Sequence, residues 1–331
     1  TTTPPGNALA GVGDSRKCAL LFSRRRLCAS SKSAIASRQK LAGAIIAASH
    51  PGAPPEDGWP IHKSLIPGYK KERMRKLRVS FLHIAPVTCD IENNRRLVER
   101  AVNVAADDGA DWVITPELCI PGYLFMKRIG TDWITPQPGP WMDDFCKLVK
   151  KRNLSVFLSH PDRDPDTNKL YNTVFVINQQ GHIVGKHSKI KALGGAESWS
   201  TAGTEIEPVE CDNVQAGILI CADAYKNEVA QVLKDNGAEL LVSPVSWGPG
   251  RCGPDGEWER RSLDTGLPIM VCNRTGEEPE ELDYREAESV VAKDGKRLLT
   301  ATSDRSVVLS FDWDMDAMDC LSQDFERTYL E

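Results

Sequence analysis

The stretch GILICADAYKNEVA, residues 217–230, runs apolar from Gly217 to Ile220, reaches Cys221 and turns polar within two residues. A buried cysteine behaves as a small hydrophobe, so one reading makes Cys221 core filling. The other holds it at the lip of a sheet as a nucleophile, because ligand sites of α/β sheets lie outside the carboxyl ends of the strands.

Two further segments share this design. DWVITP (111–116) runs apolar and stops at Glu117, and HIVGKHSK (182–189) runs half-apolar and stops at Lys189. A carboxylate, an amine and a thiol each follow a strand. Attack by a thiolate on an electrophilic carbon uses such a set, since a free thiol with a pKa near ~8.5 needs a base or a cation beside it at neutral pH. Glu117 suits the base that takes the thiol proton and returns it to a departing amine. Lys189 suits stabilisation of the thiolate and of an oxyanion on the substrate. Taken singly, each has a plainer reading: a core thiol, a solvated lysine near Lys186 and Lys191, and a loop carboxylate after Pro116.

Outward from these segments the pattern is regular. LRVSFLHIA (77–85), LSVFLSH (154–160), NTVFVIN (172–178), ELLVSP (239–244) and LPIMVCN (267–273) read as strands. Residues 91–110 place Leu97, Ala101, Val104 and Ala105 at helical spacing, and 140–153, about 224–236 and about 256–264 read as further helices. The segment 287–314 gives strands joined by a DG turn. Strands alternating with helices, then hairpins, predict α/β layers with a mixed sheet.

Composition narrows the function. Of 331 residues, 41% are hydrophobic and 26% charged, as in globular proteins with a sizeable core. Residues 1–73 hold 12 Lys/Arg against 4 Asp/Glu, whereas 74–331 hold 29 against 42. An acidic body argues against nucleic-acid binding. The Arg- and Ser-rich run SRKCALLFSRRRLCASSKSAIASRQK suits an organelle transit peptide; alternatively Met74 is the natural start. Either way 1–73 is expected to be a disordered basic extension, with one domain at 74–331. LAGAIIAA (41–48) is far too short to span a bilayer, so no membrane partner is expected. Ten scattered cysteines, with no CxxC pair and no zinc-ligand spacing, predict reduced thiols, no metal site and a cytoplasmic setting.

The local words carry a resemblance. ADWVITPELCIPGY (110–123), HSKIKAL (187–193) and ICADAYKNE (220–228) resemble, in order, the three motifs of the nitrilase superfamily of carbon–nitrogen hydrolases. Asn94, LYNT (170–173), GAELLVSPVSW (237–247) and CNRTG (272–276) echo it further, over about residues 77–312. The resemblance implies a four-layer αββα sandwich, a homodimer or higher homo-oligomer paired through the layer of the cysteine helix, and no cofactor. It implies Glu117, Lys189 and Cys221 as catalytic residues, the N–H of Ala222 beside the oxyanion, and Glu197 as a second, substrate-positioning glutamate. Glu197 also has a plain reading as a loop carboxylate.

Where family nitrilases carry Trp-Glu after the cysteine, this chain has Ala222-Asp223, which favours a small amide or N-carbamoyl substrate over a nitrile. Tyr123, Trp199 and Trp247 are candidate walls of a substrate pocket or, equally, loop anchors. GPGRCGPDGE (248–257) is a candidate lid, with Arg251 either binding a substrate carboxylate or solvated. The alternatives are a true nitrilase, acyl transfer to an amine, and a non-catalytic binding protein on the same fold.

Overall fold

The computed structural model describes residues 75–250, 253–278 and 282–330, all within the unit Glu72–Glu331. The expected extension at 1–73 and Arg251 lie outside the described residues.

The apolar runs become two sheets. The first orders β15 (Asp319–Cys320), β14 (Val307–Asp314), β1 (Lys76–His83), β2 (Trp112–Ile114), β3 (Ser155–Arg163), β4 (Leu170–Ile177) and β5 (Ile183–Ser188), with β16 (Glu326–Tyr329) also on β14. The second orders β13 (Lys296–Ala301), β12 (Ser289–Lys293), β9 (Ile269–Cys272), β8 (Leu240–Pro244), β7 (Val214–Ile218) and β6 (Val209–Cys211). Glu277–Glu278 (β10) and Leu282–Asp283 (β11) form a small separate pair. Both sheets share one plan: β1, β2 and β3 run parallel, as do β7, β8 and β9, with antiparallel strands outside them. Strands buried on both faces read as nearly continuous apolar runs, which is why the central ones were legible.

Side-chain alternation sets the layers. Phe81, Trp112, Ile114, Phe157, Val174 and Val176 join Ile218, Leu241 and Met270 of the second sheet in one core. The opposite set, Leu82, Val113, Val156, Leu158 and Phe175, packs with Leu97, Val98 and Val102 of α1 (Ile91–Asp107) and Phe145 and Val149 of α3 (Pro140–Arg152). A short α2 (Met126–Ile129) lies between α1 and α3 in the chain. Leu233 of α4 (Asn227–Asp235) and Trp258 of α5 (Glu257–Thr265) pack onto the second sheet. The result is the αββα sandwich.

Local chemistry sets the boundaries. Asp90 caps α1 by accepting from the Asn93 N–H at 3.2 Å, and Pro140 opens α3, where its missing N–H costs nothing. Asp294 and Gly295, at φ of 51° and 76°, make the tight turn between β12 and β13. The helix expected near 224–236 is instead a 3₁₀ turn, Cys221–Tyr225, followed by α4. The Asp223 carboxylate takes the Ile220 N–H at 3.1 Å, which bends the chain before a full helix can form.

Candidate active site

Four strand ends converge on one carboxylate. Glu117, three residues past the end of β2, is fully buried. Its Oε1 accepts from Lys189 Nζ at 2.7 Å and from Asn172 Nδ2 of β4 at 2.9 Å. Its Oε2 accepts from the Ser246 N–H, beyond β8, at 3.1 Å, while Ser246 Oγ donates to the Glu117 carbonyl at 2.7 Å. Both sheets therefore hold this side chain. Lys189 follows β5 directly, and its own N–H donates to the Asn172 carbonyl at 2.8 Å.

A second carboxylate faces the same amine. Glu197, buried in the 3₁₀ turn Gly195–Glu197, accepts from Lys189 Nζ at 2.5 Å, from Tyr123 Oη at 2.8 Å and from the Leu193 N–H at 3.2 Å.

Cys221 opens its turn at φ 47°, a strained left-handed conformation for a side chain with Cβ. Cys221 is 6% exposed, and Glu117, Lys189, Glu197 and the Ser246 backbone are the groups that weigh on the protonation of its thiol. Ala222 follows it, fully buried. Asp223 ties this turn to the lysine segment: Oδ2 accepts from the Ile220 N–H and Oδ1 from the Lys191 N–H at 2.7 Å. His187 Nε2 stands 3.5 Å from Asp223 Oδ2, without hydrogen-bond geometry.

The electrostatics follow from one cation set between two carboxylates. Burial raises the Glu117 pKa, with Lys189 opposing and Glu197 reinforcing the rise. Burial and the Glu117 charge hold the Cys221 thiol well above its ordinary value, against the pull of Lys189. Burial works against the Lys189 charge, but Glu117, Cys221 and Glu197 outweigh it and raise its pKa. The resting cluster is thus a protonated thiol beside a readily protonated carboxylate and a fixed ammonium.

Cys221 sits on a cavity of about 820 Å³ whose lining includes Tyr123, Trp247 and Tyr284. Trp199 is outside that lining; its ring packs edge-on against Phe125 with centroids 5.0 Å apart. Among the described residues no group of three or more His, Cys, Asp or Glu is placed to hold a metal ion. No described helix is long and apolar enough to cross a membrane.

Several residues here escaped the sequence reading as site residues. Asn172 and Ser246 clamp Glu117 from within the words LYNT and SPVSW. Asn273 of CNRTG holds Trp247 from both sides, its Oδ1 accepting the Trp247 N–H at 3.2 Å and its Nδ2 donating to the Trp247 carbonyl at 2.9 Å. Tyr284 lies in EEPEELDYREAE, which reads as a solvated charge run and gives no signal.

The carbon–nitrogen hydrolase family model matches residues 78–319. The chain belongs to the carbon–nitrogen hydrolases of the nitrilase superfamily. A probable nitrilase of Schizosaccharomyces pombe is 22% identical to this hydrolase over 73% of the chain and 90% of its own length. A formamidase of Bacillus thuringiensis is 29% identical over 40% of this chain and 41% of its own. Among solved structures, Nit3 of Saccharomyces cerevisiae, a member of branch 10 of the superfamily, aligns with TM-score 0.65 and 20% identity over 74% of this hydrolase and 92% of Nit3. An amidase variant from Nesterenkonia aligns with TM-score 0.63 and 19% identity, over 74% of this hydrolase and 93% of its own chain. At those identities the likeness establishes the shared fold.

Proposed function

We propose that this hydrolase cleaves a small amide or N-carbamoyl compound through a thioester on Cys221. The observation that carries the reading is the buried Glu117–Lys189 pair, 2.7 Å apart, set behind Cys221, which itself lines the cavity. Glu117 takes the thiol proton as sulfur attacks the carbonyl carbon, so no free thiolate need persist in a negatively charged pocket. Lys189 Nζ and the Ala222 N–H stabilise the oxyanion. The C–N bond breaks, Glu117 hands its proton to the departing nitrogen, and ammonia or an amine leaves. Water, deprotonated by Glu117, then cleaves the thioester to acid and thiol. Glu197, fixed by Lys189, Tyr123 and Leu193, orients the amide nitrogen.

The relatives described as formamidase and amidase support amide hydrolysis, and Ala222-Asp223 after the cysteine favours an amide over a nitrile. All seven cysteines among the described residues are free, which supports a reducing, cytoplasmic compartment. Pairing into a homodimer through the α4–α5 layer is supported by Val232 and Leu263, 37% and 63% exposed there.

Ammonia release from a panel of amides, N-carbamoyl compounds and nitriles tests the substrate class. Amides or carbamoyl compounds should be turned over by the wild type and not by Cys221→Ala. Turnover of nitriles alone would assign the true nitrilase reading instead.

A further inference from the structure

Tyr284 is 1% exposed, yet its ring lines the cavity that holds Cys221. The Arg274 guanidinium stacks on one part of that ring, 4.5 Å from its centroid, and is itself fully buried. Arg274 is held in turn by the Pro86 carbonyl at 3.0 Å and by Glu278, whose carboxylate also takes the Tyr123 and Leu124 N–H groups at 2.6 and 2.7 Å. The Tyr284 N–H donates to the Gly276 carbonyl at 2.8 Å, and Gly248 crowds the ring closely enough that an added Cβ would lie 3.3 Å from it. The ring is therefore immobilised, with its backbone pinned and its neighbours pinned as well.

The Tyr284 hydroxyl, by contrast, has no hydrogen-bond partner among the described residues. Unlike His83 Nε2 or Trp258 Nε1, it is not one of the fully enclosed polar atoms left without a partner, so the hydroxyl keeps access to the cavity that the residue lines. Burial raises its pKa against the opposing charge of Arg274, with Glu278 and Glu117 adding to the rise, so the group keeps its proton and stands ready to donate. Acceptors carrying full negative charge are disfavoured by the rest of the wall. Asp283 and Glu286 line the same cavity, and Arg285, the cation between them, is already paired with Asp283 at 2.6 Å and Glu277 at 2.7 Å. The cavity, about 820 Å³, also exceeds what a one- or two-carbon amide would fill.

We infer that Tyr284 is a specificity residue whose hydroxyl donates a hydrogen bond to a neutral acceptor oxygen on the acyl portion of the substrate, beyond the scissile carbonyl. This rests on the proposed amide chemistry for the meaning of "scissile", but the recognition itself can be read without turnover. In a Cys221→Ala background, calorimetric titration with butyramide, malonamide, succinamide and glutaramide compares a plain chain with chains ending in a neutral carbonyl at graded distances. At least one diamide should bind more tightly than butyramide, and Tyr284→Phe should shrink that preference about tenfold, the scale of one buried hydrogen bond. Succinamate, the charged counterpart of succinamide, should bind more weakly than succinamide. A diamide preference that survives Tyr284→Phe, or no preference for any diamide, overturns the inference. Absence of an acyl adduct on wild-type Cys221 with a preference that does depend on Tyr284 would instead remove the proposed chemistry and leave the recognition standing.

Discussion

At the scale of single residues, Lys189 is the member whose loss reaches furthest. It is the sole cation touching Glu117 and Glu197 among the described ion pairs, and all three side chains are buried. Removing one partner of a buried ion pair leaves uncompensated charge, so Lys189→Met should lower unfolding stability by about 3–5 kcal/mol, measured by urea titration. A loss below 1 kcal/mol would mean that the carboxylates are not charged against the amine. Glu117→Gln keeps the hydrogen-bonding shape but cannot accept the thiol proton, and activity should fall on the order of 10⁴-fold. As the proposed base, the same residue should set the acid limb of the pH profile. Its raised pKa means that the carboxylate begins to protonate, and the base to disappear, at a pH above the ordinary carboxylate range. A limb at the unperturbed carboxylate value would contradict this electrostatic picture. The three residues were legible in the sequence because each follows a strand. Asn172, Ser246 and Tyr284 were not, because their contacts depend on strand order within the first sheet, on how the second sheet faces it and on where the β10–β11 pair lies, none of which a local pattern encodes.

At the scale of elements, the turn after β7 is the feature that local propensity misjudged. NEVAQVLKD has a clear helical period, and the expected helix began too early because Asp223 finds partners on another strand's loop. Asp223→Ala frees the N–H groups of Ile220 and Lys191 and unties the cysteine turn from the lysine segment. Misplacement of reacting groups by about 1 Å costs on the order of 10²-fold in rate, and kcat should fall accordingly. Asp223→Asn keeps one acceptor oxygen and should recover part of that loss. Equal kcat in both variants would assign Asp223 a purely structural role. The central strands themselves were readable to within a few residues, since a strand buried on both faces admits few alternatives to an apolar run, whereas the short β6, β10, β11, β15 and β16 were not read.

For the whole molecule, the layering that brings β2, β5, β7 and β8 to one site also buries ionisable groups away from it. His83 and His160 are enclosed by the packed layers, and burial lowers both to about 4 from an ordinary 6.5. The sign follows directly: the unfolded chain binds these protons first, so the stability they contribute is complete above pH 6.5 and is lost as pH falls toward 4. Each contributes roughly 3 kcal/mol across that window. Urea midpoints should therefore drop steeply between pH 6.5 and 4, and His160→Gln should flatten the drop. An unchanged slope would place the acid sensitivity elsewhere. The sandwich was legible through the family words and the strand runs. The balance of charge within the core was not, because burial is a property of the assembled layers.

The central claim is that Cys221 carries the acyl group. Rapid quench of the wild type with an amide substrate, followed by intact-mass and peptide analysis, reads it directly. The expected result is a transient mass increase equal to the acyl group, located on Cys221 and absent from Cys221→Ala. Sustained substrate turnover with no adduct on Cys221, or turnover retained in Cys221→Ala, would contradict the account.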